Sequence, residues 1–202
     1  MKTDYIKPSI YKKIYQIMEY ENALALRLSL ETGLRIGDVL ALTPKDLVKN
    51  TITYTAQKTG KKGKKVISAD LCKRIKQISS KKFLFPGRFG DKPRTRQTVW
   101  KDVKKAAKTL KITENVGCHS ARKTYAVDLY HTEGMPTVQK ELQHDRMDTT
   151  MLYAFSDMLS NNRDYDFDVE YFAELVAHKV YGKLLPHLEM FEQCSIDNNE
   201  DV

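Results

Sequence analysis

Three short segments of the chain carry side chains suited to phosphoryl transfer. In TGLRIGDVL, Arg35 follows Gly33 and Asp38 stands three residues further on. In CHSARKTYA, His119 and Arg122 are spaced i and i+3, which puts both on one face of a helix. In LQHDRMDTTMLYAF, His144 precedes Tyr153 by nine residues. A phosphodiester under attack concentrates charge on its non-bridging oxygens, so fixed cationic donors must stand where water would otherwise solvate it. Arginine suits best, because its planar fork makes two parallel charge-assisted hydrogen bonds. A positioned nucleophile and a proton donor for the departing sugar oxygen complete the minimum kit. Each segment alone admits a plainer reading. Arg35 could simply neutralise Asp38, the His–Arg pair could be a solvated helix face, and Tyr153 is one of 11 tyrosines, most of which pack.

Taken together and in this order, the segments resemble the signature boxes of the tyrosine recombinases, the phage integrase family. These are an arginine in a TGLR box, an HxxR box, a histidine, and a tyrosine nine residues beyond it. Lys58, in QKTGK between the first two boxes, stands where that family keeps a catalytic lysine on a β-hairpin. The resemblance runs roughly from Ala23 to Asp157. It implies that Arg35 and Arg122 clamp the scissile phosphate, while His119 and His144 hydrogen-bond it or help move a proton. Lys58 would protonate the departing 5′ oxygen, and Tyr153 would attack to leave a 3′-phosphotyrosyl link. The link stores the bond energy, so neither ATP, metal nor any other cofactor is expected. Among Lys58, Lys61, Lys62, Lys64 and Lys65, the choice of Lys58 rests on the resemblance. Two positions depart from the pattern. Asp38, expected to brace Arg35, replaces the commoner glutamate, and Gln143 replaces the glycine that usually precedes the histidine, which alters backbone freedom beside His144.

These residues need a scaffold, and the hydrophobic pattern supplies one. Residues 9–31 read as two helices, the second nearly all apolar through Ala23, Leu24, Leu26, Leu28 and Leu30, and ended by Gly33. A short helix over 36–42 stops before Pro44. TITYTAQ (51–57) alternates as a strand, and KVISA (65–69) is expected to pair with it across KTGKKGK. Helices follow over 70–78 and, after the PGRFGDKP loop, over 95–110, with Trp100, Val103, Ala106, Ala107 and Leu110 on one face. Further helices are expected over 119–130, 136–142 and 149–155, and an amphipathic one over 169–185. The fold class is therefore mainly α with one small antiparallel β-sheet (α+β). A catalytic domain is expected over 1–160, and a C-terminal helix with an acidic, partly disordered tail over 161–202.

Charge points to the partner. The net +8 divides into 31 Lys and Arg against 15 Asp and Glu through Ser156, and 3 against 11 from Asp157 onward, or +16 and −8. A basic body of this kind favours a polyanion, and double-stranded DNA is the commonest. Candidate backbone contacts are Lys61, Lys62 and Lys64 at the hairpin tip, Arg94 and Arg96 at the start of the 95–110 helix, and Lys123 beside the HxxR arginine. Cys72, Cys118 and Cys194 are odd in number, far apart and without metal-ligand spacing, which favours reduced thiols and a cytoplasmic location over disulfides or zinc. No apolar run reaches about 18 residues, so no membrane span is expected. About 20 residues precede the first buried helix, too few for the DNA-clamping domain that the resemblance leads one to expect; a separate domain or accessory protein would supply it. The implied function is site-specific cleavage and rejoining of DNA for a mobile element, by a chain that assembles as a tetramer on its substrate. Relaxation in the manner of a type IB topoisomerase, or non-catalytic DNA binding on the same fold, are the alternatives.

Overall fold

The computed structural model describes residues 3–90 and 92–142. Their helices and strands are, in chain order, α1 (Pro8–Ile17), α2 (Tyr20–Thr32), α3 (Ile36–Ala41), β1 (Leu47–Val48), β2 (Thr51–Thr55), β3 (Lys62–Val66), α4 (Ala69–Ile78), α5 (Arg96–Thr109) and α6 (Cys118–Leu142). The segments expected over 149–155 and 169–185, and the acidic tail, lie outside the described residues, as do His144 and Tyr153.

Helix α2 is the axis of the core. Alanine and leucine dominate every side of it, so it must be covered all round, and it packs against α1, α3, α4, α5 and α6. Leu26, Leu28, Ile36, Ile52, Leu71 and Phe85 are fully buried around it. The helix ends where Gly33 turns left-handed (φ +71°), its N–H bonding to the Ser29 carbonyl at 2.9 Å. Side-chain caps start the later helices. Ser68 accepts from the Leu71 amide ahead of α4, and Thr95 accepts from the Thr98 amide ahead of α5.

The sheet is a small antiparallel meander in the order β1-β2-β3. Thr55 pairs with Lys62 and Thr51 with Val66, so the second hairpin strand begins three residues before the KVISA segment expected from its β-branched residues. Lysines 62, 64 and 65 therefore belong to the strand, and the tip is confined to 56–61. Backbone pairing overrides the weak strand propensity of Lys and Gly here. Alternation then sorts the lysines: Lys62 and Lys64 face solvent, whereas Lys65 turns inward with Gly63. The pair β1 was not signalled, because two residues carry no period.

Helix α5 buries Val99, Val103, Ala106 and Ala107. Trp100, expected on that face, is instead 44% exposed, since adding Val99 rotates the apolar stripe by one position. Helix α6 is broken at Gly134 (φ 78°, ψ 175°), two residues before Pro136, close to the gap left between the two helices expected there. Beyond the break, Val138 and Leu142 pack with Ala126 and Tyr125 into a small second cluster. Among the described residues no helix is long and apolar enough to cross a membrane.

Candidate active site

The first box is placed by the end of α2. Gly33 takes the left-handed turn, Leu34 is buried, and Arg35 becomes the residue preceding α3. A side chain at position 33 would meet the Tyr125 ring at about 2.4 Å, so glycine is required both by φ and by space. Arg35 is half-buried, and among the described residues no hydrogen bond or ion pair holds its guanidinium.

The second box occupies the first turns of α6. Arg122 is only 7% exposed, and its two terminal nitrogens donate to the carbonyl oxygens of Gly33 and Leu142, each at 2.6 Å. Gly33 stands two residues before Arg35, and Leu142 two residues before His144. One buried guanidinium thus ties the backbone of the first box to the approach of the third. His119 remains accessible, yet its pKa is held below the ordinary imidazole range. Partial desolvation contributes most, followed by the positive charges of Arg122, Arg96, Arg35 and Lys123. Cations from α5, from α6 and from the α2–α3 junction therefore act on one neutral imidazole. The arrangement suits an anion, whose arrival would relieve the mutual repulsion of these cations.

His119 also lines a groove of about 340 Å³ with Arg96, Gln97, Trp100, Lys104 and Cys118. Burial pushes the Cys118 thiol up to about 11, so it stays protonated and is no competing nucleophile at neutral pH. Among the described residues no cluster of three His, Cys, Asp or Glu side chains could hold a metal ion.

Asp38 does not brace Arg35. Its carboxylate is 5% exposed and accepts the backbone N–H of Gln57 at 3.0 Å, immediately before Lys58. The shape of the tip explains this: the amides of Thr59 and Gly60 both turn back to the Ala56 carbonyl, which leaves the Gln57 amide facing α3. The acid after the first arginine thus serves the hairpin. Lys58 itself is exposed, and so are Lys61, Lys62 and Lys64. Lys65 is engaged on the inner side of the sheet with Glu141 and with the Tyr125 hydroxyl.

Two expected DNA contacts are occupied within the protein. Arg94 reaches Asn22 at 3.0 Å and the carboxylates of Glu19 and Glu21 at 3.4 and 3.6 Å. Asp102 joins this network through the Asn22 amide at 2.8 Å, which fastens the start of α5 to the start of α2. Lys123 is 8% exposed and donates to the Thr3 carbonyl. Arg96, by contrast, opens onto the His119 groove. No sequence period could separate these cases, because each depends on a partner far along the chain.

The phage integrase family model matches residues 4–159. The chain belongs to the phage integrase family. Among its relatives, the probable integrase/recombinase YoeC of Bacillus subtilis is 31% identical over 130 residues, covering 61% of this chain and 71% of that protein. The integrase of Escherichia phage P2 is 29% identical over 156 residues, covering 76% of this chain but 43% of its own length. The solved lambda integrase tetramer bound to a Holliday junction has the same fold, with a TM-score of 0.65 at 20% identity over 83% of this chain and 51% of that one. This integrase-family chain thus spans about half the length of the phage P2 and lambda proteins.

Proposed function

We propose that this chain is a site-specific DNA recombinase that serves a mobile element and cleaves one strand at a time through Tyr153. The observation that supports the reading is the buried Arg122 guanidinium bonded to the backbone beside both flanking boxes, with His119 one helical turn before it under the positive charge of Arg122 and Arg35. In the proposed reaction Arg35 and Arg122 hold the non-bridging oxygens. The Tyr153 oxygen forms a bond to phosphorus as the bond from phosphorus to the 5′ oxygen breaks. The phenolic proton passes to a neutral imidazole, His119 or His144, and Lys58 delivers a proton to the leaving oxygen. A phenol with a pKa near ~10 needs this help at neutral pH. Attack by the 5′ hydroxyl of a partner strand reverses the step and completes exchange. Exposed Lys61, Lys62, Lys64 and Arg96 would hold flanking phosphates. By analogy with the lambda integrase tetramer on its junction, four copies would act together on duplex DNA.

Capture tests this. A pool of nicked duplexes with randomised cores is incubated with the chain, and DNA that resists denaturing washes is recovered. The expected result is a covalent adduct that maps to Tyr153 and is lost in Tyr153→Phe. An adduct mapped to another residue, or one undiminished by that substitution, would sink the assignment. Recovery of no adduct from the pool would count against turnover and leave a binding protein of the same fold.

A further inference from the structure

The inner face of the sheet carries a part-buried polar cluster that the proposed chemistry does not use. Lys65 of β3 is only 9% exposed in its side chain and ion-pairs with Glu141 in the last turn of α6. It also donates to the Tyr125 hydroxyl at 3.2 Å and lies 5.2 Å from the centre of that ring. Burial alone would lower the pKa of this ammonium. Glu141 and Tyr125 more than offset that, so its pKa stays above the ordinary lysine range. The neighbouring Leu142 carbonyl is the acceptor of Arg122. Consecutive residues at the end of α6 are therefore gripped from two sides, Glu141 by the hairpin and Leu142 by the HxxR arginine. The grip lies past the break at Gly134, where the helix no longer continues the geometry of its first half. Two residues further along the chain is His144, and nine beyond that is Tyr153.

From this geometry we infer that Lys65 and Glu141 are positioning residues for strand cleavage. They clasp the end of α6 to the same hairpin that carries Lys58, and so fix Leu142, from which the sequence runs on to His144 and Tyr153, relative to the proton donor. The inference rests on the proposed roles of Lys58 and Tyr153. Lys65 touches no reacting atom in this scheme. Its isolation on the inner face of β3, away from the exposed lysines of the tip and outer face, separates it from the leaving-group acid. The two ends differ in burial, Glu141 being 37% exposed in its side chain, so removing Glu141 leaves the Lys65 ammonium buried and unpaired, whereas exchanging the two residues preserves the pair.

The test uses the full chain with the nicked duplex recovered by adduct capture, made in two forms, with the ordinary 5′ oxygen or with sulfur at the scissile bridge. A thiolate leaves without protonation, so a variant lacking the acid recovers on sulfur and a variant lacking a positioning group does not. Lys65→Met and Glu141→Gln are each expected to slow adduct formation about tenfold or more on both substrates, with duplex affinity changed less than about twofold. The exchange Lys65→Glu with Glu141→Lys is expected to restore most of the rate, and Lys65→Arg to keep it. Lys65→Met cleaving at the parental rate on either substrate, or an exchange no better than the single variants, would overturn the proposal. A Lys58→Ala variant that sulfur fails to rescue would instead overturn the role of Lys58, leaving the clasp to be judged by the exchange. Amide hydrogen exchange over residues 134–142 gives a readout that needs no cleavage. It should quicken in Lys65→Met and return in the exchange, and unchanged protection would refute the clasp.

Discussion

His119 shows how a single side chain reports on its surroundings. Its folded pKa lies below the unfolded value of about 6.5, because desolvation and four cations disfavour the imidazolium. The unfolded chain thus binds the proton more readily. The stability contributed by the neutral ring is complete above pH 6.5 and is lost as pH falls through that value toward the depressed folded one. Melting curves between pH 8 and pH 5 should show His119→Gln less acid-sensitive than the parent over this window; equal sensitivity would mean that the cations do not act on the ring. Gly33 offers a second check. Gly33→Ala combines a left-handed φ, about 1–2 kcal/mol for a residue with a Cβ, with overlap of the Tyr125 ring. Gly60→Ala has a similar φ of +68° but open space around it. Thermal denaturation should lower Tm by several degrees more for Gly33→Ala than for Gly60→Ala, and equal losses would remove the steric argument. At this scale the sequence announced the residue types, and the positive charges of Arg35 and Arg122 both bear on His119. Their partners were not legible. Asp38 lies one helical turn from Arg35 in sequence, yet its bond runs to an amide 19 residues away, because only the folded hairpin decides which donor is left unpaired.

At the scale of elements, helices were legible wherever a buried stripe of three or more turns repeated. The hairpin was legible in its first strand and blurred in its second. β2 alternates Ile52 and Tyr54 against threonines, a period a reader can count. β3 is lysine and glycine, and its register comes from Tyr54 lying over Gly63 and from Lys65 finding Glu141, contacts that no local pattern encodes. The same hairpin yields a prediction about how its tip is held. Asp38→Ala leaves the part-buried Gln57 amide without its acceptor, a cost of about 1 kcal/mol, and releases the segment that carries Lys58. Adduct formation should slow on the ordinary duplex and recover with sulfur at the scissile bridge, since only Lys58, the proposed proton donor, has been misplaced. A defect of equal size on both substrates would show that Asp38 serves the arginines instead.

For the whole molecule, the fold decides which charges are open to the proposed DNA partner. The excess of +16 through Ser156 is not spread evenly over usable donors. Arg94 is taken by Glu19, Glu21 and Asn22, Lys123 by the Thr3 carbonyl, Lys65 by Glu141, and Arg27 and Arg74 by Asp70. The exposed hairpin lysines Lys58, Lys61, Lys62 and Lys64, together with Arg35 and Arg96, form the set that would displace counterions from flanking phosphates. A phosphate neutralised in this way steepens the fall of log affinity with log salt by about 0.9. Five or six contacts therefore give a slope of about −5, far short of the value that the net charge alone would suggest. Arg96→Ala should flatten the slope by about 1, whereas Arg94→Ala should lower Tm with the slope unchanged, because its partners are carboxylates of the protein itself. Titrations of a short duplex across a salt series, run beside melting curves of both variants, separate the two. A slope that responds equally to loss of Arg94 and loss of Arg96 would mean that the ion pairs of Arg94 open on DNA, and that the basic surface is set by composition and not by the fold.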